Sequence, residues 1–173
     1  MEALKKRFGV GGELIETYYH PYIYLNREVI AGKGLDQREV EEAVAAEMMK
    51  FGGVALALSS TALREGGVPN APLVEQIRRN FNPKRSGDVY VVQEPYWFLY
   101  EEATIPLCAI HGSPWRYDTF VPIFFAGAGV KARKVARPVQ PADIAPTLSA
   151  ILGVKPPSGA VGVPLVEVVG EQR

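Results

Sequence analysis

Three short apolar runs do most to constrain the fold of this 173-residue chain. They occupy residues 88–93, 107–110 and 121–126, and their apolar side chains stand at consecutive positions rather than at alternate ones. Strands of that kind are buried on both faces of a sheet, with helices as the covering layers. The sequence therefore predicts an α/β fold with these runs as central strands, and we expect the second and third runs to be neighbours in the sheet.

A helix that could cover this sheet is visible near the C-terminus. Asp143 can cap it, Pro146 stands in the first turn where proline is tolerated, and Gly153 ends it. Its apolar residues share one face at helical spacing and are Ile144, Leu148, Ile151 and Leu152. We expect the last three of these side chains to pack onto the sheet.

The first half of the chain alternates short helices and strands. The sequence predicts helices over residues 1–8, 36–50 and 72–80, a brief helix near residue 60 and a strand over residues 54–58. Asp36 can cap the clearest helix, and Glu39 follows it at capping-box spacing. We interpret the chain as a single partial domain, with an α+β insertion over residues 13–85 and the C-terminal strands and helix of a core sheet over residues 86–173.

Composition narrows the range of partners. Basic and acidic side chains number nineteen each, so no net charge attracts a polyanion. The basic residues Arg78, Arg79, Lys84 and Arg85 could contact phosphate, but cations are also favoured at a helix C-terminus by its dipole. No run of eighteen apolar residues occurs and no apolar stretch of an export signal follows the first eight residues. We expect neither a nucleic acid nor a membrane as a partner.

One histidine stands where the active sites of α/β proteins are usually found. His111 follows the apolar run at residues 107–110, and Asp118 lies seven residues further on. Because such sites lie beyond the carboxyl ends of strands, His111 is a candidate metal ligand or catalytic group. A histidine hydrogen-bonded within its own loop is the alternative. The other histidine, His20, lies among four tyrosines, and we interpret it as solvent-facing or hydrogen-bonded.

No complete catalytic motif accompanies His111. Ser113 has no second histidine nearby in sequence and no G-x-S-x-G turn, so the sequence predicts no nucleophilic triad. A phosphate-binding loop and a dinucleotide fingerprint are absent as well. The lone Cys108 lies inside an apolar run, and we interpret it as a small buried side chain.

Several motifs in a fixed order resemble the C-terminal portion of the alkaline phosphatase superfamily. They are HGSPWRYDTFVP from His111, FFAGAGV from Phe124, PV from Pro138, and DIAPTL from Asp143 followed by Leu152 and Gly153, with YLN from Tyr24 and RSGDV from Arg85 upstream. Their order and spacing together carry the resemblance, which covers nearly the whole chain. More narrowly, the chain is similar to bacterial alkaline phosphatases grouped with type I phosphodiesterases and nucleotide pyrophosphatases.

This resemblance implies a zinc-dependent hydrolase of phosphate mono- or diesters, in which two zinc ions hold the attacking and leaving oxygens. His111 then matches the last zinc ligand of the family, and Asp118 and Ser113 are the candidates to orient it. Capping of the loop is the alternative role for these two residues. Phe120 stands where the family often has a histidine, and we expect this departure to affect packing or access more than ligation.

The resemblance also implies that most of a two-zinc site lies outside this chain. The family's nucleophile, its D-x-x-x-H ligand pair and its Asp-His pair precede the matched region, whereas a two-zinc site needs about six protein ligands. We therefore expect no catalytic residue here, a missing N-terminal half as partner and a phosphate-ester substrate for the complete enzyme. The chain would be a fragment, a split gene or the product of a late start codon, inactive by itself.

The alternative is a non-catalytic binding or interaction module derived from the same fold. The sequence leaves open the substrate, the preference for mono- or diesters and the compartment, although complete family members are often exported.

Overall fold

The computed structural model describes residues 2–99, 110–127 and 129–170. They form two compact units, Met1–Phe120 and Val121–Arg173. Among the described residues, no helix is long and apolar enough to cross a membrane. The division of the chain at residue 85 stays a prediction.

A four-stranded antiparallel sheet forms the centre of the first unit. Its strands are β1 (Ile15–Tyr19), β2 (Tyr22–Leu25), β3 (Val54–Ser59) and β4 (Val89–Gln93), in the spatial order β1-β2-β4-β3. β4 lies between β2 and β3, and all five of its residues are buried. The central strand predicted over residues 88–93 is therefore confirmed, because a strand with both faces covered needs apolar side chains at consecutive positions.

The described residues of the same unit form six α-helices. They are α1 (Glu2–Phe8), α2 (Arg27–Gly32), α3 (Gln37–Met48), α4 (Ser60–Glu65), α5 (Pro72–Asn80) and α6 (Arg116–Thr119). The helices predicted over residues 1–8, 36–50 and 72–80 and near residue 60 are confirmed. Asp36 accepts a hydrogen bond from the amide of Glu39 at 2.9 Å, and Ser59 caps α4 in the same way. Such caps satisfy amide groups that the first helical turn leaves unpaired.

Helices cover both faces of this sheet. On one face Val40 and Val44 of α3 pack with Val89 and Val91 of β4. On the other face Val74 and Ile77 of α5 pack with Tyr90 and Val92 of β4. Because successive side chains of a strand point to opposite faces, β4 contributes to both cores, and the fold is mixed α/β.

The second unit is built around α7 (Ile144–Leu152) and a short α8 (Val166–Val169). The buried Asp143 accepts hydrogen bonds from the amides of Gln140 and Val163, both at 2.9 Å. Thr147, which is fully buried, accepts a bond from the amide of Leu165 at 2.9 Å. These bonds attach the segment that follows α7 to the start of that helix.

The apolar stripe of α7 does not pack as predicted. Leu148, Ile151 and Leu152 are exposed, whereas the buried positions of the helix are Pro146, Thr147 and Ser149. An apolar stripe is buried only where a second apolar surface meets it, and the described part of this unit contains no sheet. The hydrogen bonds of Asp143 and Thr147 decide which side of α7 faces inward.

Residues 121–126 form no strand, which corrects the prediction of a central strand there. Val121 and Phe124 are exposed, and no described strand pairs with this segment. A strand requires a neighbour for its backbone hydrogen bonds, and Pro122 has no amide hydrogen to offer. The neighbouring strand predicted over residues 107–110 lies outside the described residues except for Ile110, which is exposed.

Candidate functional site around His111

His111 lies on a loop whose backbone is held by Asp118. The carboxylate of Asp118 accepts hydrogen bonds from the amides of Gly112 at 2.7 Å and Ser113 at 2.6 Å, both through Oδ2. Asp118 is placed for this by the single turn of α6, in which its own amide donates to the carbonyl of Trp115 at 2.9 Å. The imidazole of His111 is exposed. The structure thus brings Asp118 to the backbone beside His111, and its role in orienting a metal ligand stays a prediction.

Two further contacts anchor this loop near the end of β4. The indole of Trp115 donates to the carbonyl of Gln93, the last residue of β4, at 2.7 Å. The hydroxyl of Tyr117 accepts a bond from the amide of Tyr96 at 3.2 Å, and the two rings stack with centroids 4.7 Å apart. The loop therefore stands beyond the carboxyl end of β4, a central strand of the antiparallel sheet.

His20 also meets this loop, which sequence reasoning did not predict. It lies in the turn between β1 and β2, and its Nε2 is 3.4 Å from the point that a β-carbon on Gly112 would occupy. Gly112 has a φ of 112°, a conformation that other residues rarely adopt. The ring of Phe98 packs edge-on against His20 at 5.7 Å between centroids. No spacing or motif signals this contact, because His20 and Gly112 are far apart in sequence.

The hydrogen-bond network behind His20 predicts its tautomer. With the amide oxygen of Gln93 turned toward Tyr18, this oxygen accepts from the Tyr18 hydroxyl at 2.9 Å and from the amide of Leu99 at 3.2 Å. The amide nitrogen of Gln93 then donates to the carbonyl of Trp97 at 3.1 Å. Since the Tyr18 hydroxyl has a single hydrogen, it accepts from Nδ1 of His20, which lies 3.3 Å away. With the Gln93 amide in this orientation, the network predicts a hydrogen on Nδ1 of His20 and a lone pair on its Nε2.

Burial keeps this network uncharged. It lowers the pKa of His20, and the negative charge of Asp118 opposes that shift. Burial also raises the pKa of the Tyr18 hydroxyl. Both side chains are therefore neutral at neutral pH.

Two buried polar atoms beside Gly112 have no hydrogen-bond partner within the described part of the chain. They are Nε2 of His20 and Oγ of Ser113. An unpaired buried donor or acceptor costs about 1–3 kcal/mol. Such atoms therefore indicate a place where two polar groups are hydrogen-bonded to each other or to a further bound group.

The loop can supply only part of a metal site. Among the described residues, no three His, Cys, Asp or Glu side chains are close enough together to hold a metal ion. The exposed His111 can offer one imidazole nitrogen to a metal ion, whereas the Asp118 carboxylate already accepts hydrogen bonds from two backbone amides. A catalytic zinc ion needs three protein ligands. The described residues can therefore supply one ligand of such a site but not the complete set.

The RSGDV motif builds a structural cluster beside a cavity of about 340 Å³. The buried Asp88 accepts hydrogen bonds from the amide of Leu25 at 2.8 Å, from Arg27 at 2.9 Å and from Gln37 at 3.3 Å. Gln37 also donates to the buried Glu41 at 2.9 Å. These bonds join β2 to the starts of α2 and α3, which gives the motif a role in folding.

No protein-family model matches the chain. Alkaline phosphatase PafA of Elizabethkingia meningoseptica is 32% identical over 96% of this chain. A crystal structure of wild-type alkaline phosphatase PafA matches 98% of this chain with a TM-score of 0.80, at 32% identity. The chain is related to the alkaline phosphatase superfamily.

Two more proteins are similar to this chain over most of its length. A protein named calcium-transporting ATPase, from Myroides odoratus, is 34% identical over 97% of the chain, and alkaline phosphatase PhoV of Synechococcus elongatus is 26% identical over 88%. The chain spans only 30%, 30% and 27% of the lengths of the ATPase, PafA and PhoV, and 32% of the PafA crystal chain. The resemblance to a portion of larger alkaline phosphatases is therefore confirmed, and so is the fold class.

Proposed function

We propose that this chain is a portion of a zinc-dependent phosphohydrolase, acting on phosphate mono- or diesters, to which His111 contributes one metal ligand. The match to alkaline phosphatase PafA along 98% of the chain, at a TM-score of 0.80, carries the proposal. The position of His111 supports it, because the imidazole is exposed on a loop whose backbone is held in place by Asp118.

In this proposal the residues of the loop have separate roles. His111 would give an imidazole nitrogen to zinc, and Asp118 fixes the backbone on which that ligand stands. Ser113 belongs to the same support, because its amide is one of the two that Asp118 binds. When bound, zinc supplies a positive charge that stabilises the oxygens of a transferring phosphoryl group.

The other ligands and the nucleophile come from a missing N-terminal half. The exposed apolar side chains of α7, Leu148, Ile151 and Leu152, support such a partner, because isolated domains rarely leave an apolar helix stripe uncovered. The same exposed stripe favours the second candidate function, a non-catalytic interaction module. Activity decides between the two.

The test joins this chain to the N-terminal portion of alkaline phosphatase PafA that precedes the matched region. We expect the 173-residue chain alone to bind zinc weakly and to leave p-nitrophenyl phosphate and bis-p-nitrophenyl phosphate unhydrolysed. The joined protein should hydrolyse at least one of them, and the better substrate gives the ester preference. His111→Ala should lower its zinc affinity by at least about tenfold and its turnover with it.

Ser158→Ala is the matched control, since Ser158 is exposed and lies in the second unit. Zinc-dependent hydrolysis by the isolated chain, lost in His111→Ala, would contradict the need for a missing half. A joined enzyme that is active and indifferent to His111→Ala would contradict the ligand assignment. A joined protein that folds and binds zinc without hydrolysing either ester favours the interaction module.

A further inference from the structure

The two unpaired polar atoms beside Gly112 have complementary chemistry. Ser113 Oγ carries a hydrogen to donate, and Nε2 of His20, in the Nδ1-protonated tautomer, carries a lone pair to accept one. Nε2 of His20 lies 3.4 Å from the point that a β-carbon on Gly112 would occupy, and Ser113 is the next residue in the chain. Each atom therefore supplies what the other lacks.

We propose that Ser113 and His20 are joined through one bound water molecule, and that His20 thereby positions His111. A water molecule accepts from the serine hydroxyl and donates to the imidazole lone pair, which satisfies both buried atoms. The positioning role rests on the proposed function, because it concerns His111 as a ligand. The pairing of Ser113 with His20 does not depend on that function.

The support can be followed from the sheet to the ligand loop. Gln93 at the end of β4 is hydrogen-bonded to the Tyr18 hydroxyl, which is hydrogen-bonded to Nδ1 of His20. Nε2, on the other side of the ring, faces Gly112. The Asp118 carboxylate also accepts a hydrogen bond from the backbone amide of Ser113. With the bridge in place, the backbone next to His111 is fixed by a side chain from β1-β2 as well as by its own loop, which narrows the positions open to the imidazole.

The tautomer of His20 provides the first test. The chain contains two histidines, so two sets of ring signals appear in a long-range proton-nitrogen NMR spectrum, and His20→Gln assigns them. We expect His20 to carry its hydrogen on Nδ1 at neutral pH. A hydrogen on Nε2, or on both nitrogens, would overturn the proposal, because Nε2 would then be unable to accept a bond.

The second test measures coupling between the two side chains. We expect Ser113→Ala and His20→Phe each to lower the amide-exchange protection of Gly112 by about fivefold, and the double variant to lower it no further than either single change. Effects that multiply would show that the two residues act independently and would overturn the bridge. Tyr19→Phe is the control, because Tyr19 is an exposed neighbour of His20, and protection should stay unchanged.

Two conservative variants separate the bridge from packing. His20→Gln keeps a polar atom near the place of Nε2, whereas His20→Asn keeps only one near Nδ1, which faces Tyr18. We expect His20→Gln to retain more protection at Gly112 than His20→Asn, which should behave like His20→Phe. The reverse order would assign the support to the Tyr18 bond alone and overturn the role of Nε2.

A zinc titration of the joined enzyme then separates this inference from the proposed function. We expect His20→Phe to weaken zinc binding by about tenfold, a loss typical of groups that support a ligand, while the His20 ring signals of the parent keep their tautomer. Direct zinc ligation by Nε2 of His20 would overturn the bridge. If the tautomer and coupling hold but His111 binds no zinc, the pairing stands and the proposed function fails.

Discussion

Replacing Asp118 by alanine would show how firmly the His111 loop is held. The substitution removes two hydrogen bonds to a charged acceptor, at 2.7 Å to Gly112 and 2.6 Å to Ser113. Such bonds contribute about 1.5–3 kcal/mol each when buried, and the lower end applies because Gly112 is exposed and Ser113 only half-buried. Two bonds at this lower end contribute about 3 kcal/mol of loop stability, equivalent to about 150-fold in the opening equilibrium.

Amide hydrogen exchange measures this opening directly. We expect the protection factors of Gly112 and Ser113 to fall by that ratio in Asp118→Ala and by less in Asp118→Asn, which keeps a neutral acceptor oxygen. Arg116→Ala is the matched control, because Arg116 is exposed on the same turn and its guanidinium lies over the ring of Phe120, 5.6 Å from the centroid. Protection that stays within about twofold of the parent in Asp118→Ala would refute the reasoning, since the carboxylate would then not hold the loop.

Two further predictions concern stability. Asp88→Ala should lower the free energy of unfolding, measured in urea, by about 3 kcal/mol, because it leaves the buried amide of Leu25 unpaired. Asp36→Ala, which removes an exposed helix cap, should lower it by about 1 kcal/mol. Equal losses would contradict the structural role of the hydrogen bonds around Asp88. In the second unit Arg137 lowers the pKa of Glu167 from 4.5 to about 2. The pKa of Glu167 is lower in the folded state than in the unfolded state. The stability that the Arg137–Glu167 pair contributes is therefore complete above about pH 4.5 and is lost as the pH falls through about 2. Arg137→Gln should return the Glu167 carboxyl titration, followed by NMR, toward 4.5; a parent Glu167 that already titrates there would disprove it.

Local features of the sequence predicted the first unit well. Helix starts follow from side chains a few residues away, as at Asp36, and from Pro72 at the first position of α5. The central position of β4 follows from its consecutive apolar residues. The motifs around His111 predicted the relationship to alkaline phosphatases, since their order and spacing are written in the chain itself.

The site was predicted only in part. His111, Asp118 and Ser113 are close in sequence, so their loop could be recognised, and the structure brings Asp118 onto the amide of Ser113. His20 could not be assigned to it, because its contact with Gly112 depends on how the turn between β1 and β2 lies against the loop. A sequence pattern within one segment carries no information about tertiary contacts between segments that are distant in sequence.

The sequence by itself determined where helices begin and which family the chain resembles, and it placed β4, one of its three predicted central strands, correctly. Tertiary structure decided which apolar residues are buried, because burial needs a second surface: the stripe of α7 stays exposed where the described unit offers no sheet. It also decided that residues 121–126 form no strand, because strand pairing requires a neighbour with free backbone groups. Hydrogen bonds and packing between distant segments likewise brought His20 to the loop of His111.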